Sequence, residues 1–507
     1  MEITKPKSKE QNKKKNKKKE SKTKSKLENE AEDEEDFNDF FEKHCENQGT
    51  SQLSLNETIS PFNEALSLDP SWLDANTELK KKFGGAVSGG NSVLGEINSR
   101  ALRQNAALNK AIKRKPFKRK NGFITPRPFW PPFGPSETGL NVQLVKNGDD
   151  CEEFEIVEDE AYQSVFEELE LLVRTGDLEF LIQLIHGQPL FVDGLLLLSD
   201  AYRMQSTGDA GEIVERALYI LERIMPTNLS FLNGQVRFRY SHPGNRKLHL
   251  CLYRQILFTM KKGCWKVALQ LAKALLALDP ENDPLGSRLF IDFLALQSES
   301  FEDFDKLWVQ LNHKCQLGPL PGWYFNRALR MFLDEEKTRN DHSASTEALT
   351  EAVLKSPGTA RLLLQSLKCK IPDNFPNSGH FESDLAQVGA AKIFIARCNT
   401  LWKTPSAQKW FENEIIKLEN NNSESSIDFR SVALINQVPI YRHSLLSDLS
   451  SLNVAIPTNV SSTSSLNAYD PLPSECFDDD GNEGESSKSI LSGLRDLLIS
   501  SFAARNN

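Results

Sequence analysis

The chain is poor in the residues from which metal sites, disulfide scaffolds and recognisable catalytic centres are built. Its 507 residues include eight cysteines and no Cys-x-x-Cys. That density is too low for a disulfide-held fold and points to a reducing compartment. The spaced pairs His249/Cys251 and His313/Cys315 have no second pair at zinc-site spacing, so no metal centre is expected. Gly-x-Ser-x-Gly and His-Glu-x-x-His are absent. The glycines between Gly84 and Gly95 lack the Gly-Lys-Ser/Thr of a phosphate loop and read as a linker. Adjacent carboxylates, such as Glu167-Glu168 and Asp334-Glu335-Glu336, fit solvated helix faces better than acid–base pairs. No apolar run approaches the ~18–20 residues of a membrane span, and the N-terminus has no apolar core of a secretory signal. What remains is a noncatalytic interaction protein that needs no cofactor, metal, membrane or small-molecule substrate.

Charge is present but unevenly placed. The formal net charge is −9. Residues 1–26 alone hold twelve lysines against three glutamates, which leaves the rest of the chain at −18. The tract is densest at Lys13, Lys14, Lys15, Lys17, Lys18 and Lys19, then passes into an acidic block from Glu28 to Asp36. Neither block can bury enough apolar surface to offset chain entropy, so residues 1–50 are expected to be a disordered arm. A second basic cluster follows at Lys113, Arg114, Lys115, Lys118, Arg119 and Lys120, at the end of a helix expected over 96–113. Clustered lysines release counterions from phosphate backbones without reading sequence, so ribosomal RNA is a candidate partner for both clusters. A solvated tail or a nuclear-import signal is the alternative for the tract. Between 51 and 153 the chain reads as mostly extended, with short helices at 60–68 and 78–83. In this stretch Phe129, Trp130, Pro131 and Pro132 form a proline-stiffened aromatic strap. Such a strap must cover something apolar, either the protein's own flank or a partner's groove.

From 154 to 419 apolar residues recur at helical spacing with no convincing strand alternation. The pattern predicts helices at 160–174, 177–187, 193–206, 210–225, 246–261, 264–278, 285–297, 301–311, 323–333, 344–355, 357–369, 383–400 and 405–419. Short connections make neighbours antiparallel. One segment has the spacing of a tetratricopeptide repeat: Gly263 for the turn, Ala268 as the small contact residue, then Asp279-Pro280 to end the second helix. Ile256 occupies the place where the first helix of such a repeat carries a small residue. Arg174-Thr175-Gly176-Asp177 and Ser206-Thr207-Gly208-Asp209 read as further inter-helix turns, 32 residues apart. The expected fold is all-α, an irregular tetratricopeptide-like solenoid of helical hairpins with disordered N-terminal and C-terminal tails. The Ser/Asn-rich segment 420–486 is expected to be disordered, and 487–507 to form an amphipathic helix. That helix either docks back on the solenoid or serves as a partner-binding motif.

Several segments together resemble the transcription factor 25 family, whose fungal members are the ribosome quality control complex subunit one proteins. They are Asn76 to Gly84, Phe129 to Pro132, Tyr162-Gln163, Glu215 to Tyr219, Asn245-Arg246, Lys262-Gly263-Cys264, Leu276 to Leu285, and Leu401 to Pro405 with Trp410. The resemblance covers roughly residues 1–420 and is most specific between Gly263 and Leu285. The chain departs from it at Gly139-Leu140-Asn141-Val142, where the family has Gly-Leu-Ser-Met, and at Phe191 to Leu195. The resemblance implies a noncatalytic subunit of the ribosome-associated quality control complex, cytoplasmic with a possible nuclear pool. Its implied partners are the large ribosomal subunit with a stalled nascent chain, a Listerin-type RING ubiquitin ligase, ubiquitin, and the AAA unfoldase that extracts the chain. A nuclear transcriptional regulator is the alternative. A tetratricopeptide co-chaperone is a third reading, which would need residues such as Lys262, Lys266 and Arg216 to converge on one groove.

Overall fold

The backbone is punctuated by proline. Pro61, Pro243, Pro321, Pro357 and Pro439 each stand in the first turn of a helix, where a missing N–H costs nothing and the fixed φ favours entry. The computed structural model describes residues 59–83, 119, 121–127, 130, 132–148, 150–175, 178–204, 210–315, 317, 320–339, 341–372, 375, 381, 384–421, 437–447 and 449. The lysine tract and acidic block, the helix expected at 96–113, the turns at Gly176-Asp177 and 206–209, and the amphipathic stretch 487–507 lie outside these residues. Residues 59–507 cluster as one unit, and residues 1–58, all outside the described part, as another.

Among the described residues, two short α-helices, α1 (Pro61–Leu66) and α2 (Ala75–Phe83), precede a hairpin of β1 (Leu140–Asn147) and β2 (Glu152–Glu158). The helical array then runs through α3 (Glu160–Thr175), α4 (Leu178–Gly187), α5 (Val192–Met204) and α6 (Ala210–Ile224). After the short strand β3 (Val236–Arg237) come α7 (Pro243–Lys261), α8 (Trp265–Leu278), α9 (Ile291–Gln297), α10 (Phe301–Cys315), α11 (Pro321–Thr338) and α12 (Ser343–Lys355). The series closes with α13 (Pro357–Leu367), α14 (Leu385–Trp402), α15 (Pro405–Asn421) and α16 (Val438–Leu446). Each helix from α5 to α9 packs on the next, as do α11 to α14, so the described body is the expected solenoid-like all-α fold with one small sheet. No described helix is long and apolar enough to cross a membrane.

The repeat signature forms a tight helical hairpin. Gly263 has φ +71° and donates to the Met260 carbonyl, while the Cys264 N–H reaches the Thr259 carbonyl, closing α7. Ala268 is fully buried. The second helix stops at Leu278, and Asp279-Pro280 leads the chain away. Ile256 is also fully buried, so the bulkier side chain is absorbed into the core.

Two expectations needed correction. The stretch read as an extended linker up to 153 ends in the hairpin, whose strands pair from Leu140↔Glu158 to Asn147↔Glu152 with an irregularity between Leu144 and Lys146. The strands were hard to read because only Leu140, Val142, Phe154 and Ile156 face the core, two per strand. The hairpin is held by side chains distant in sequence. Asn245 accepts from the Ile156 N–H at 2.8 Å and donates to the Arg239 carbonyl at 2.9 Å. The second correction is α16, which falls inside the segment expected to be disordered. Nine residues are too few to show helical periodicity, and its order comes from docking: Ile440, Tyr441, His443 and Leu446 are all buried.

The contrast between two glycines gives a stability prediction. A Cβ on Gly263 would meet nothing within 4 Å, so Gly263→Ala carries only the left-handed backbone penalty, about 1–2 kcal/mol. A Cβ on Gly244, at the start of α7, would lie 2.0 Å from the Ile156 carbonyl oxygen. Urea unfolding of Gly244→Ala should therefore show the larger loss, because the hairpin must move off α7. Equal losses would mean that the hairpin is not seated against that helix.

Candidate functional site

Helix α6 is buried on nearly every side, and its buried residues include Glu212, Glu215, Arg216 and Glu222. Charged groups withdrawn from water need partners, and here they are supplied by the chain segment that precedes the hairpin. Arg127 pairs with Glu212 at 2.9 Å and with Glu215 at 2.7 Å. Lys262, from the α7–α8 turn, also reaches Glu215 at 2.7 Å. Burial alone would raise the Glu215 pKa, but the Lys262 ammonium and the Arg127 guanidinium outweigh it and hold the carboxyl below its ordinary range. Glu222 accepts the backbone N–H groups of Phe123 and Ile124, and burial still lifts its pKa to about 7.

Arg119 closes the end of the same helix. Its guanidinium donates to the carbonyls of Glu222, Met225 and Pro226 at 3.2, 2.9 and 2.8 Å, and also to that of Leu229. A cation at a helix C-terminus satisfies orphan carbonyls and complements the macrodipole. Farther along, Trp130 is 3% exposed and packs on Tyr219 of α6 at a ring distance of 5.5 Å, with Phe133 edge-on to the same ring. Hydrogen bonds to a charged group contribute about 1.5–3 kcal/mol each, against about 0–1 for exposed ion pairs. Arg119, Arg127 and Trp130 together anchor the segment on α6.

A second organised region surrounds the α7–α8 turn. Cys264 precedes α8 without a capping side-chain bond, and the cap comes from α2 instead. The Glu78 carboxylate, 1% exposed, accepts from the Val267 N–H at 3.0 Å. Lys82 bridges Glu78 at 2.7 Å and the Gly263 carbonyl at 2.8 Å. At the other end of α8, Asp279 accepts from Arg239, the Tyr240 N–H and Asn282. Asp283, with φ +44°, accepts from the Ser287 and Arg288 N–H groups and from the Arg288 side chain. The next two carbonyls hold α16: Pro284 accepts from Arg442 at 2.7 Å, and Leu285 lies 3.1 Å from His443 Nδ1. Arg254 donates to the Leu446 carbonyl at the far end of α16.

Burial shifts several titratable groups in and around this region. The described cysteines are free thiols, and burial pushes those of Cys251 and Cys398 well up and that of Cys264 to about 11, which suppresses the thiolate. From a fully buried position His249 Nε2–H donates to the Phe238 carbonyl at 2.7 Å, and burial lowers its pKa to about 4. Among the described residues no cluster of His, Cys, Asp or Glu could hold a metal ion.

The residues singled out from sequence are therefore distributed as follows. Of the basic set, Lys13, Lys14, Lys15, Lys17, Lys18, Lys19, Lys113, Arg114, Lys115, Lys118 and Lys120 lie outside the described residues, and Arg119 is spent on the α6 terminus instead of facing a phosphate. Of the strap, Phe129 and Pro131 lie outside, while Trp130 is buried against the protein's own flank and Pro132 is half-buried. Gly263, Ala268, Asp279 and Pro280 come together around one hairpin. Sequence reading missed Glu78, Arg127, Glu222 and α16. The signal available for Glu78 was its place in the Asn76–Gly84 motif.

A family model described as transcriptional repressor TCF25 matches residues 154–474. The chain is 28% identical over 437 residues to the human protein named ribosome quality control complex subunit TCF25, covering 82% of this chain and 62% of that protein. It is 25% identical over 423 residues to ribosome quality control complex subunit 1 of Schizosaccharomyces pombe, covering 83% and 60%. It is 27% identical over 443 residues to the probable transcription factor claV of Ampulloclitocybe clavipes, covering 78% and 55%. The chain thus spans less than two thirds of the length of these relatives. No solved structure matches.

The raised pKa of Glu222 predicts a pH dependence. The folded state holds this proton more tightly than the unfolded chain, whose carboxyl has its ordinary value near 4.5. Its contribution to stability is therefore complete below about 4.5 and is lost as pH rises toward about 7. Measured by urea unfolding, wild type should lose stability relative to Glu222→Gln from pH 5 to pH 7.5. A difference that stays constant would place an ionised carboxylate under the strap throughout.

Proposed function

Because the chain belongs to the family described as transcriptional repressor TCF25, we propose that it is a noncatalytic adaptor of ribosome-associated quality control. In this reading it binds large ribosomal subunits carrying stalled nascent chains. It supports ubiquitination by a Listerin-type ligase, extraction by an AAA unfoldase and proteasomal degradation. The observation that carries the reading is the likeness, over some four fifths of the chain, to human and fission-yeast proteins named as ribosome quality control complex subunits. The physical organisation supports it. A solenoid of buried hairpins presents an extended face of the kind used for protein binding. The lysine arm supplies charge suited to ribosomal RNA, with Lys13 to Lys15 and Lys17 to Lys19 at its densest part. The adaptor is cytoplasmic, with a nuclear pool allowed by the basic arm.

A second reading, a nuclear transcriptional regulator, is favoured by the family description and by the likeness to a probable transcription factor.

Two measurements separate these readings. Under the first, the full chain co-sediments with large subunits, and sedimentation falls steeply with salt and on deletion of residues 1–26. Sedimentation indifferent to both removes the electrostatic contact. Cell fractionation after ribosome stalling should show the protein moving with large subunits. A protein that stays in the nucleus regardless favours the transcriptional reading.

A further inference from the structure

Helices α9, α11 and α14 meet around a buried carboxyl that has no cation. Asp292 lies in the first turn of α9, and Asn326 of α11 and Cys398 of α14 stand beside it; all three are buried. Asn326 Nδ2 donates to Asp292 Oδ2 at 2.8 Å and lies 3.3 Å from Cys398 Sγ, which engages both amide hydrogens. Asp292 Oδ1 and Asn326 Oδ1 remain, each buried without a hydrogen-bond partner. The joint has no slack: a Cβ on Gly322 of α11 would lie 3.3 Å from Asp292 Oδ2 and 3.3 Å from Phe394 of α14. Among the described residues no charged side chain pairs with Asp292, including those of α8 and α10, which also pack on α9. The nearby cations are engaged elsewhere. Arg288, just before α9, pairs with Asp283, and Arg397 of α14 reaches His443 of α16 at 3.3 Å and lies over the Phe290 ring. Burial holds the Cys398 thiol neutral, well above its ordinary pKa.

We propose that Asp292 holds a proton in the folded array and that this proton is a pH-sensitive lock on the joint of α9, α11 and α14. A carboxylate and an amide oxygen are both acceptors, so the ionised pair leaves two buried acceptors unanswered. One proton on Asp292 turns the pair into an acid–amide couple with a donor on each side. The argument holds for either orientation of the amide. Turned round, Asn326 sets its oxygen against Asp292 Oδ2, and that contact also needs a proton. Burial is the largest influence on this carboxyl and lifts its pKa from 3.8 to about 6. The Asn326 amide and the backbone N–H groups of Phe293 and Asp292 pull the other way without cancelling it. The folded state therefore holds the proton more tightly than the unfolded chain. The stability it contributes is complete below about 3.8 and is lost as pH rises through about 6. The lock sits where the packed series α5 to α9 meets the series α11 to α14, so its release loosens one run of helices against the other.

The test is hydrogen–deuterium exchange of the full chain at about pH 4.5 and about pH 7, corrected for intrinsic rates, in wild type and Asp292→Asn. Asparagine keeps the shape and supplies a permanent N–H donor for Asn326. Between the two pH values, protection of α9 and of the first half of α11 should fall roughly 20-fold further in wild type than in Asp292→Asn. The α7–α8 hairpin should show no such difference. An infrared difference spectrum, wild type minus Asp292→Asn, should carry a protonated-carboxyl band at the lower pH that vanishes at the higher. Equal pH dependence in the two proteins, or absence of that band, overturns the proposal and makes Asp292 an ionised carboxylate held by backbone N–H groups. An equal difference in α7–α8 also overturns it, because the effect then does not lie at the joint. Should Asp292→Asn fail to fold, wild type alone decides. Its α9 protection, divided by that of α7–α8, must fall by the same factor over the same interval, and an unchanged ratio removes the lock.

Discussion

Burying the charged residues of α6 is the constraint around which this protein is assembled. Glu212, Glu215 and Glu222 are withdrawn from water on one helix, and a low-dielectric interior does not tolerate them unpaired. The helices beside α6 supply only Lys262 among the partners seen. The remainder come from Arg119, Phe123, Ile124 and Arg127, a segment with no regular secondary structure of its own. An irregular strap is thus tied to the solenoid as firmly as a repeat would be. Its backbone gains hydrogen-bond partners by leaning on the helix that needs it, and Trp130 then seals the contact with apolar area.

The same exchange recurs at α8. Its N-terminus is capped from α2 by Glu78, and its C-terminus opens into a knot in which Asp279 and Asp283 organise the turn while Pro284 and Leu285 offer carbonyls to α16. Capping usually comes from the residue next to the helix. Here both ends depend on segments far away in sequence, so the most family-like stretch, Gly263 to Leu285, serves chiefly as a junction. That explains why Asp279 and Asp283 are charged and yet buried.

Much of this was legible from residues alone. The thirteen helices of the array show apolar spacing strong enough to place them to within a few residues at most ends, and Gly263 and Pro280 punctuate their hairpin as the repeat spacing requires. The hairpin and α16 were not legible, because each is short and takes its order from distant partners such as Asn245 and Arg254. The sequence could not distinguish Arg119 from its basic neighbours either. Composition counts a charge, but only the fold shows that this guanidinium is used up on four carbonyls.

The seat of α16 bears on how the chain is made. A solenoid is ordinarily a structure that can fold one repeat at a time, as each emerges from synthesis. Here His443 meets the Leu285 carbonyl across 158 residues and Arg254 meets Leu446 across 192. The middle hairpins must therefore wait, with Tyr253, Phe290 and the Pro284 and Leu285 carbonyls uncovered, until nearly the whole of the remaining array has been translated. The last described helix is a late keystone, and the span between Pro284 and Leu446 is the interval over which this protein, while still attached to its own ribosome, is itself an incompletely closed nascent chain.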